Sequence, residues 1–268
     1  MSTSSRLKRA FAQAPILLFN MCSKYVLLSD CHRGVGTSSD NFLKNQHLYF
    51  AALEHYYKNG FTYIELGDGE ELWENRNLHN ITEIHSDVYN LLSCFDSHNR
   101  LYLIYGNHDI IQKKNPAYHE ALILRPDAVP ERSLYLTHGH QASLLNSTFW
   151  RVARFLVRYL WNPLENLGIL DPTSAAKNYE VKEKCEEKLR RFAEENHHIL
   201  ITGHTHRPVM PEEPSYYYNT GSCVHPRCIT CIEVERGQLT LVKWSMQARH
   251  DLILYVKREV IGGPIEIL

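Results

Sequence analysis

Ile199-Leu200-Ile201-Thr202-Gly203-His204-Thr205-His206-Arg207-Pro208 carries a run of hydrocarbon side chains up to a glycine and two imidazoles, and stops there. The apolar run has the length of a buried strand. A surface turn would account for two histidines taken alone. Four other apolar runs end in the same manner, however. Leu28 is followed by Ser29-Asp30-Cys31-His32, and Leu66 by Gly67-Asp68-Gly69-Glu70-Glu71. Tyr105 is followed by Gly106-Asn107-His108-Asp109, and Leu136 by Thr137-His138-Gly139-His140. In open α/β sheets, ligands bind beyond the carboxyl ends of the strands. The five endings are therefore expected to converge on one site.

The rest of the chain supports strands alternating with helices. Apolar runs at 25–28, 61–66, 101–105, 133–137 and 199–201 read as strands, and the tail over 216–260 as almost all strand with a hairpin turn at 235–238. Helical periodicity covers 40–60, capped by Asp40, and 81–95, with a short helix over 116–124. Between 146 and 196 no strand is evident. Helices over 149–161 and 175–194 suggest a helical cap inserted at 141–197 within one domain spanning 1–268. The class is α/β, finished by an antiparallel section.

Composition narrows the function. A formal net charge of -1 with pI ≈ 7.0 gives no global field to draw nucleic acid or an anionic membrane. The 7 cysteines form no disulfide framework and suit a reducing cytoplasm. Cys228 and Cys231 make a C-x-x-C, but three residues apart on a strand they face opposite sides. Arg6, Lys8 and Arg9 precede a short apolar patch that Gln13, Pro15 and Asn20 interrupt, so 1–20 reads as an N-terminal arm and not as a signal peptide. No apolar run approaches the ~20 residues of a membrane span.

The strand ends supply two Asp (Asp30, Asp68), one Asn (Asn107) and four His (His32, His138, His204, His206). Hard oxygens mixed with imidazoles suit manganese, with iron or zinc as alternatives, better than magnesium or calcium. Seven donors exceed one ion and suit two that share a carboxylate, as in hydrolases whose ions sit ~3.5–4 Å apart.

Taken in order, D-x-H, G-D, G-N-H-D, H and G-H-x-H resemble the calcineurin-like metallophosphoesterase superfamily. The likeness runs from Asp30 to Asn219-Thr220-Gly221-Ser222. It implies a four-layer αββα sandwich with a helical insertion, and a dinuclear phosphoesterase that cleaves a phosphoester or pyrophosphate bond with a metal-bridging hydroxide. It implies that Asp30, His32, Asp68 and His206 hold one divalent ion, and Asp68, Asn107, His138 and His204 the other. His108 would protonate the leaving oxygen with Asp109 orienting it, and Glu71 would fix ligand geometry from behind. G-D-x-x-E-L-W at 67–73 and GHTHRP are similar to the branch containing UDP-2,3-diacylglucosamine hydrolases, although that branch reads GNRD where this chain has GNHD.

Arg151, Arg154 and Arg158 fall at helical spacing beside aromatic residues. With Arg33 and Lys177 they are candidates for binding an anionic substrate under the cap, a phosphorylated small molecule or a lipid-linked one, with peripheral membrane contact as a further option. The charge run over 180–195 reads as a solvated helix face. The rival readings are a protein Ser/Thr phosphatase on the same core and a non-catalytic scaffold. A scaffold should have lost donors or the GNHD histidine, and every position is kept here.

Overall fold

Alternate residues of the same strands are apolar on both faces, so these strands must be covered from two sides. A computed structural model describes residues 1–37, 40–161 and 179–268. The elements are α1 (Thr3–Ala12), β1 (Ile16–Phe19), β2 (Lys24–Leu28), α2 (Gln46–Lys58), β3 (Thr62–Leu66), α3 (Leu78–Ile84) and α4 (Ser86–Ser97). They continue with β4 (Leu101–Ile104), β5 (Tyr118–His119), β6 (Ala121–Pro126), β7 (Leu134–Thr137), α5 (Leu144–Ser147) and α6 (Trp150–Leu156). A π-helical turn, Val157–Trp161, extends α6. The last elements are α7 (Tyr179–Asn196), β8 (Ile199–Thr202), β9 (Tyr217–Asn219), β10 (Cys228–Glu235), β11 (Gln238–Ala248) and β12 (Leu254–Glu266).

A seven-stranded sheet has the order β12-β11-β10-β2-β3-β4-β5, and a five-stranded sheet the order β1-β6-β7-β8-β9. Tyr25, Leu27, Ile64 and Leu66 of the first sheet pack with Leu122, Leu134, Leu136 and Ile201 of the second. The opposite face of the larger sheet, with Val26, Leu28 and Tyr63, packs on Tyr49, Ala52 and Tyr56 of α2 and on Val88, Leu92 and Phe95 of α4. The outer face of the smaller sheet, with Ala121, Ile123 and Leu200, is covered by Leu7 and Phe11 of α1 and Leu189 and Phe192 of α7. The result is the αββα sandwich. The parallel trio β2, β3, β4 in one sheet and the parallel pair β7, β8 in the other bring five strand ends to one edge.

One expectation changes, and two gain detail. Residues 116–124 are not a helix. Tyr118 and His119 pair with β4, and the run from Ala121 pairs with both β1 and β7, so tertiary pairing decides a short apolar run that periodicity leaves ambiguous. The N-terminal arm is α1 followed by strand β1; Arg6, Leu7, Ala10 and Phe11 are its buried helical face. Within the span 141–197, α7 forms part of the outer layer of the sandwich. Its Cys185, Leu189, Phe192 and Ala193 are core residues, so this helix closes the fold.

Candidate metal centre

Three of the five donor-bearing strands, β2, β3 and β8, run out at residues whose backbone leaves the extended region. Asp30, His32, Asp68, His204 and His206 have φ of 54°, 50°, 52°, 68° and 56°. For side chains other than glycine this left-handed conformation costs roughly 1–2 kcal/mol per residue. Such strain persists where the surroundings over-determine it, and it concentrates at functional sites. The backbone stays laced through the bends. Asp30 N donates to Gly67 O at 3.0 Å, His32 N to Asp68 O at 2.9 Å, and Gly203 N to His138 O at 3.0 Å. The glycines of the motifs have a steric cause. A Cβ on Gly106 would strike the Asp68 carboxylate, and one on Gly203 would strike Ser29 and the Asp30 carboxylate.

The side chains converge. Asp30 Oδ2 accepts from Ser29 Oγ at 2.5 Å and His204 N at 2.9 Å, which leaves Oδ1 facing His206 Nε2 at 3.1 Å. Asp68 Oδ1 accepts from His108 N at 2.8 Å, and Oδ2 lies 3.1 Å from His138 Nε2. His138 Nδ1 donates to Leu66 O at 2.7 Å, which fixes the ring so that Nε2 faces the carboxylates. His32 Nε2 and His206 Nε2 approach to 3.2 Å. Of the thirteen buried side-chain atoms without a hydrogen bond among the described residues, four belong to this donor set: Asp30 Oδ1, Asn107 Oδ1, His138 Nε2 and His204 Nε2. Buried polar atoms are rarely left unpaired. Donor atoms of Asp30, His32 and His206 lie within 4.8 Å of one another, as do those of Asp68, His138 and His204 and those of His32, Glu71 and His108. Hard oxygens and imidazole nitrogens left unpaired in this way fit divalent cations.

The electrostatics point the same way. Burial alone would depress the His32 and His138 pKa values. In His32 the Glu71 hydrogen bond and the Asp68, Glu71 and Asp30 charges outweigh burial and push the imidazole up to about 10. In His138 the Asp68 and Asp30 charges outweigh it and push the imidazole up to about 9. Burial and the His138 charge hold His204 neutral, down to about 3. A metal must displace the protons on His32 and His138. Metal uptake near pH 7 is therefore expected to release protons, and affinity to rise with pH through about 9, where His138 loses its proton, and up to about 10, where His32 loses its own. Calorimetric heats measured in buffers of different ionisation enthalpy check this; heats independent of buffer would contradict it.

His108 sits beside the cluster. Its Nδ1 contacts Glu71 Oε1 at 2.8 Å, and its ring stacks on Trp73 at 4.5 Å and 21°. Glu71 Oε2 also meets His32 Nδ1 at 2.8 Å, so one carboxylate orients both imidazoles. Asp109 does not take the orienting role. It is fully buried, and its oxygens accept from Gly106 N at 2.5 Å and Gly69 N at 2.9 Å, which pins the two loops together.

A family model described as the calcineurin-like phosphoesterase superfamily domain matches residues 24–235. The chain belongs to the calcineurin-like phosphoesterase superfamily. The match is at the level of the superfamily and does not single out the UDP-2,3-diacylglucosamine hydrolase branch. Comparison with curated proteins finds no match. Among solved structures, the chain is similar to Vps29 of Chaetomium thermophilum, at 12% identity over 90% of this chain and 96% of that one, with a TM-score of 0.45. It is also similar to a cold-active protein-tyrosine phosphatase of a psychrophile, Shewanella sp., at 14% identity over 92% of this chain and 83% of that one, with a TM-score of 0.45.

The basic residues of this superfamily member divide into free and occupied. Arg33 is fully buried; its Nη2 contacts Glu65 Oε1 at 2.7 Å and Glu70 Oε1 at 3.0 Å, so it does not contact substrate. Arg158 is spent on backbone carbonyls, as described below. Arg151 is exposed and lies over the Trp150 ring at 5.5 Å. Arg154 is half-buried, with its Nε unpartnered. Lys177 lies outside the described residues.

Two buried residues were not legible as part of the site. His140 is only 2% exposed and its ring centroid lies 5.7 Å from that of His138. Glu186, inside the charge run, is 1% exposed. It accepts from Thr205 Oγ1 at 2.8 Å and pairs with Arg207, which ties the GHTHRP loop to α7. The signal was present: Cys185, Leu189 and Phe192 mark the buried face on which Glu186 falls. Glu186→Ala is expected to destabilise the fold by about 1–3 kcal/mol, because Thr205 loses its acceptor while Arg207 is open enough to find water. Urea unfolding measures this; an unchanged midpoint would remove the anchor role.

Proposed function

We propose that the chain is a metal-dependent phosphoesterase in which Asp30, His32, Asp68 and His206 hold one divalent ion, and Asp68, Asn107, His138 and His204 a second. The observation that carries this reading is the set of four buried, unpartnered donor atoms contributed by strand ends of both sheets. Bound ions of this kind supply charge stabilisation at the phosphoryl oxygens and a water acidic enough to attack near neutral pH. The chain's own residues do the rest. Asp68 is shared between the half-sites and also fixes the His108 backbone through its Oδ1. Glu71 holds His108 at Nδ1, which leaves Nε2 to carry the proton for the leaving oxygen. As the P–O bond breaks, that proton passes to the departing oxygen and prevents a strongly basic alkoxide from forming.

The substrate class is a phosphorylated small molecule or lipid-linked ester, with Arg151 and Arg154 as its anion contacts. A net charge of only -1 argues against nucleic acid. Manganese, iron or zinc suits the donors. The domain is read as one unit over 1–268, with a helical insertion at 141–197 whose last helix, α7, packs into the sandwich. A cytoplasmic setting is supported by seven unpaired cysteines. No helix among the described residues is long and apolar enough to cross a membrane.

The test is Mn²⁺-dependent turnover of a chromogenic phosphodiester beside the matching monoester, on chelator-stripped protein. Metal-restored cleavage of either is the expected result. Two bound ions with neither ester cleaved would turn the reading toward a scaffold.

A further inference from the structure

The π-helical turn that extends α6 crosses the loop after the Asp68 strand end and grips it through one side chain. Arg158 Nε donates to Trp73 O at 2.7 Å, and its Nη2 donates to Leu72 O at 3.0 Å and to Asn75 O at 3.1 Å. Beside it, Arg76 Nη2 donates to Tyr159 OH at 2.9 Å, so the loop is held from both directions. The loop is also closed on itself, because Asn75 N and Asn75 Nδ2 donate to Glu71 O at 3.1 Å and 2.9 Å. A planar guanidinium spanning three carbonyls of one turn fixes its orientation in a way that a single ammonium does not.

The gripped loop has a second occupation. Glu71 and Trp73, the two side chains that hold the His108 imidazole, both project from it. The carboxylate takes Nδ1 and the indole covers one face, while the His32 ring meets the His108 ring edge-on at 4.6 Å. An arginine that sets the backbone of 72–75 therefore sets the direction of His108 without touching it.

We propose that Arg158 is a positioning residue for His108, which locks the Leu72–Asn75 turn so that Glu71 and Trp73 aim the imidazole at the leaving oxygen. Seating of the π-helical turn is thereby coupled to protonation of the leaving group. The inference rests on the phosphoesterase reading above and gives Arg158 a different task from the substrate contact expected of it.

The discriminating property is the leaving group. When an alkyl phosphodiester is cleaved, the electron pair of the P–O bond goes to the alkoxide oxygen, and the His108 proton goes with it. When a p-nitrophenyl ester is cleaved, nitrophenolate departs as the anion and needs no proton. Arg158→Gln is expected to lower kcat on the alkyl ester at least about tenfold, part of what a general acid supplies. On the p-nitrophenyl ester it should cost less than about threefold. Arg158→Lys should fall between the two. In the His108→Ala background, Arg158→Gln should have no further effect on the alkyl ester. Equal losses on both esters, or losses that multiply with His108→Ala, would overturn the proposal.

A readout that does not depend on turnover separates this inference from the functional reading. The His108 Nδ1 proton, bonded to Glu71, should give a slowly exchanging downfield proton resonance in the folded chain. Arg158→Gln should broaden or abolish it, and Arg158→Lys should weaken it. A wild-type chain that cleaves neither ester speaks against the phosphoesterase reading, and the resonance still decides the positioning role. An unchanged resonance in a folded Arg158→Gln chain would overturn it.

Discussion

Asp68→Asn is expected to lose turnover by more than the 10–100-fold typical of a residue outside a metal's own ligands, and to lose bound metal with it. The carboxylate stands in the middle of the cluster. Its Oδ2 lies 3.1 Å from His138 Nε2 and 3.8 Å from His32 Nε2, one from each half-site. Its Oδ1 accepts from His108 N at 2.8 Å. Asparagine has the same shape and can still accept that backbone bond, so the fold should persist. It cannot supply the negative charge that a shared ligand must provide to two cations. Metal content by atomic emission, read beside steady-state rates, checks both halves of the expectation. Full metal occupancy with ordinary turnover would remove Asp68 from the shared position.

His108→Ala should show the opposite combination. Both ions should remain, because His108 is outside the proposed ligand set, while turnover of a substrate with a poor leaving group falls by about 10²–10⁴, the range for removing a general acid. Burial alone would lower the His108 pKa, but the Glu71 and Asp68 charges and the Glu71 hydrogen bond outweigh it, so the ring holds its proton above the ordinary histidine range. That is the state an acid needs at neutral pH. Unchanged turnover would exclude His108 from the reaction.

The strand ends were legible because a candidate metal donor at the end of a buried strand leaves a simple trace, an apolar run broken by Gly with Asp, Asn or His. Steric rules wrote the glycines beside them: no Cβ fits at Gly106 or Gly203 against the carboxylates. The partners of those donors left no such trace. The resemblance put Asp109 behind His108, but a shared motif says nothing of which side chain crosses a loop in this chain, and Glu71 arrives from the neighbouring strand end. Arg33 and Arg158 looked alike as cations near a phosphate site. One is neutralised by Glu65 and Glu70 and the other is absorbed by carbonyls, which only the folded chain brings near. The strand β6 was hidden for the same reason. Its identity comes from pairing with β1 on one side and β7 on the other, not from any local preference.

The donors come from both sheets, and this makes the centre a gauge of the gap between them. Asp30, His32, Asp68 and Asn107 ride on the seven-stranded sheet, and His138, His204 and His206 on the five-stranded one. The distance between the two groups is set by the thickness of the layer in which Ile64 and Leu66 meet Leu134, Leu136 and Ile201. A change of side-chain volume in that layer moves one half of the donor set relative to the other. Interior substitutions remote from any donor should therefore pass for active-site lesions. Two ions bound as proposed would in turn act as rivets that hold the sandwich shut at one edge.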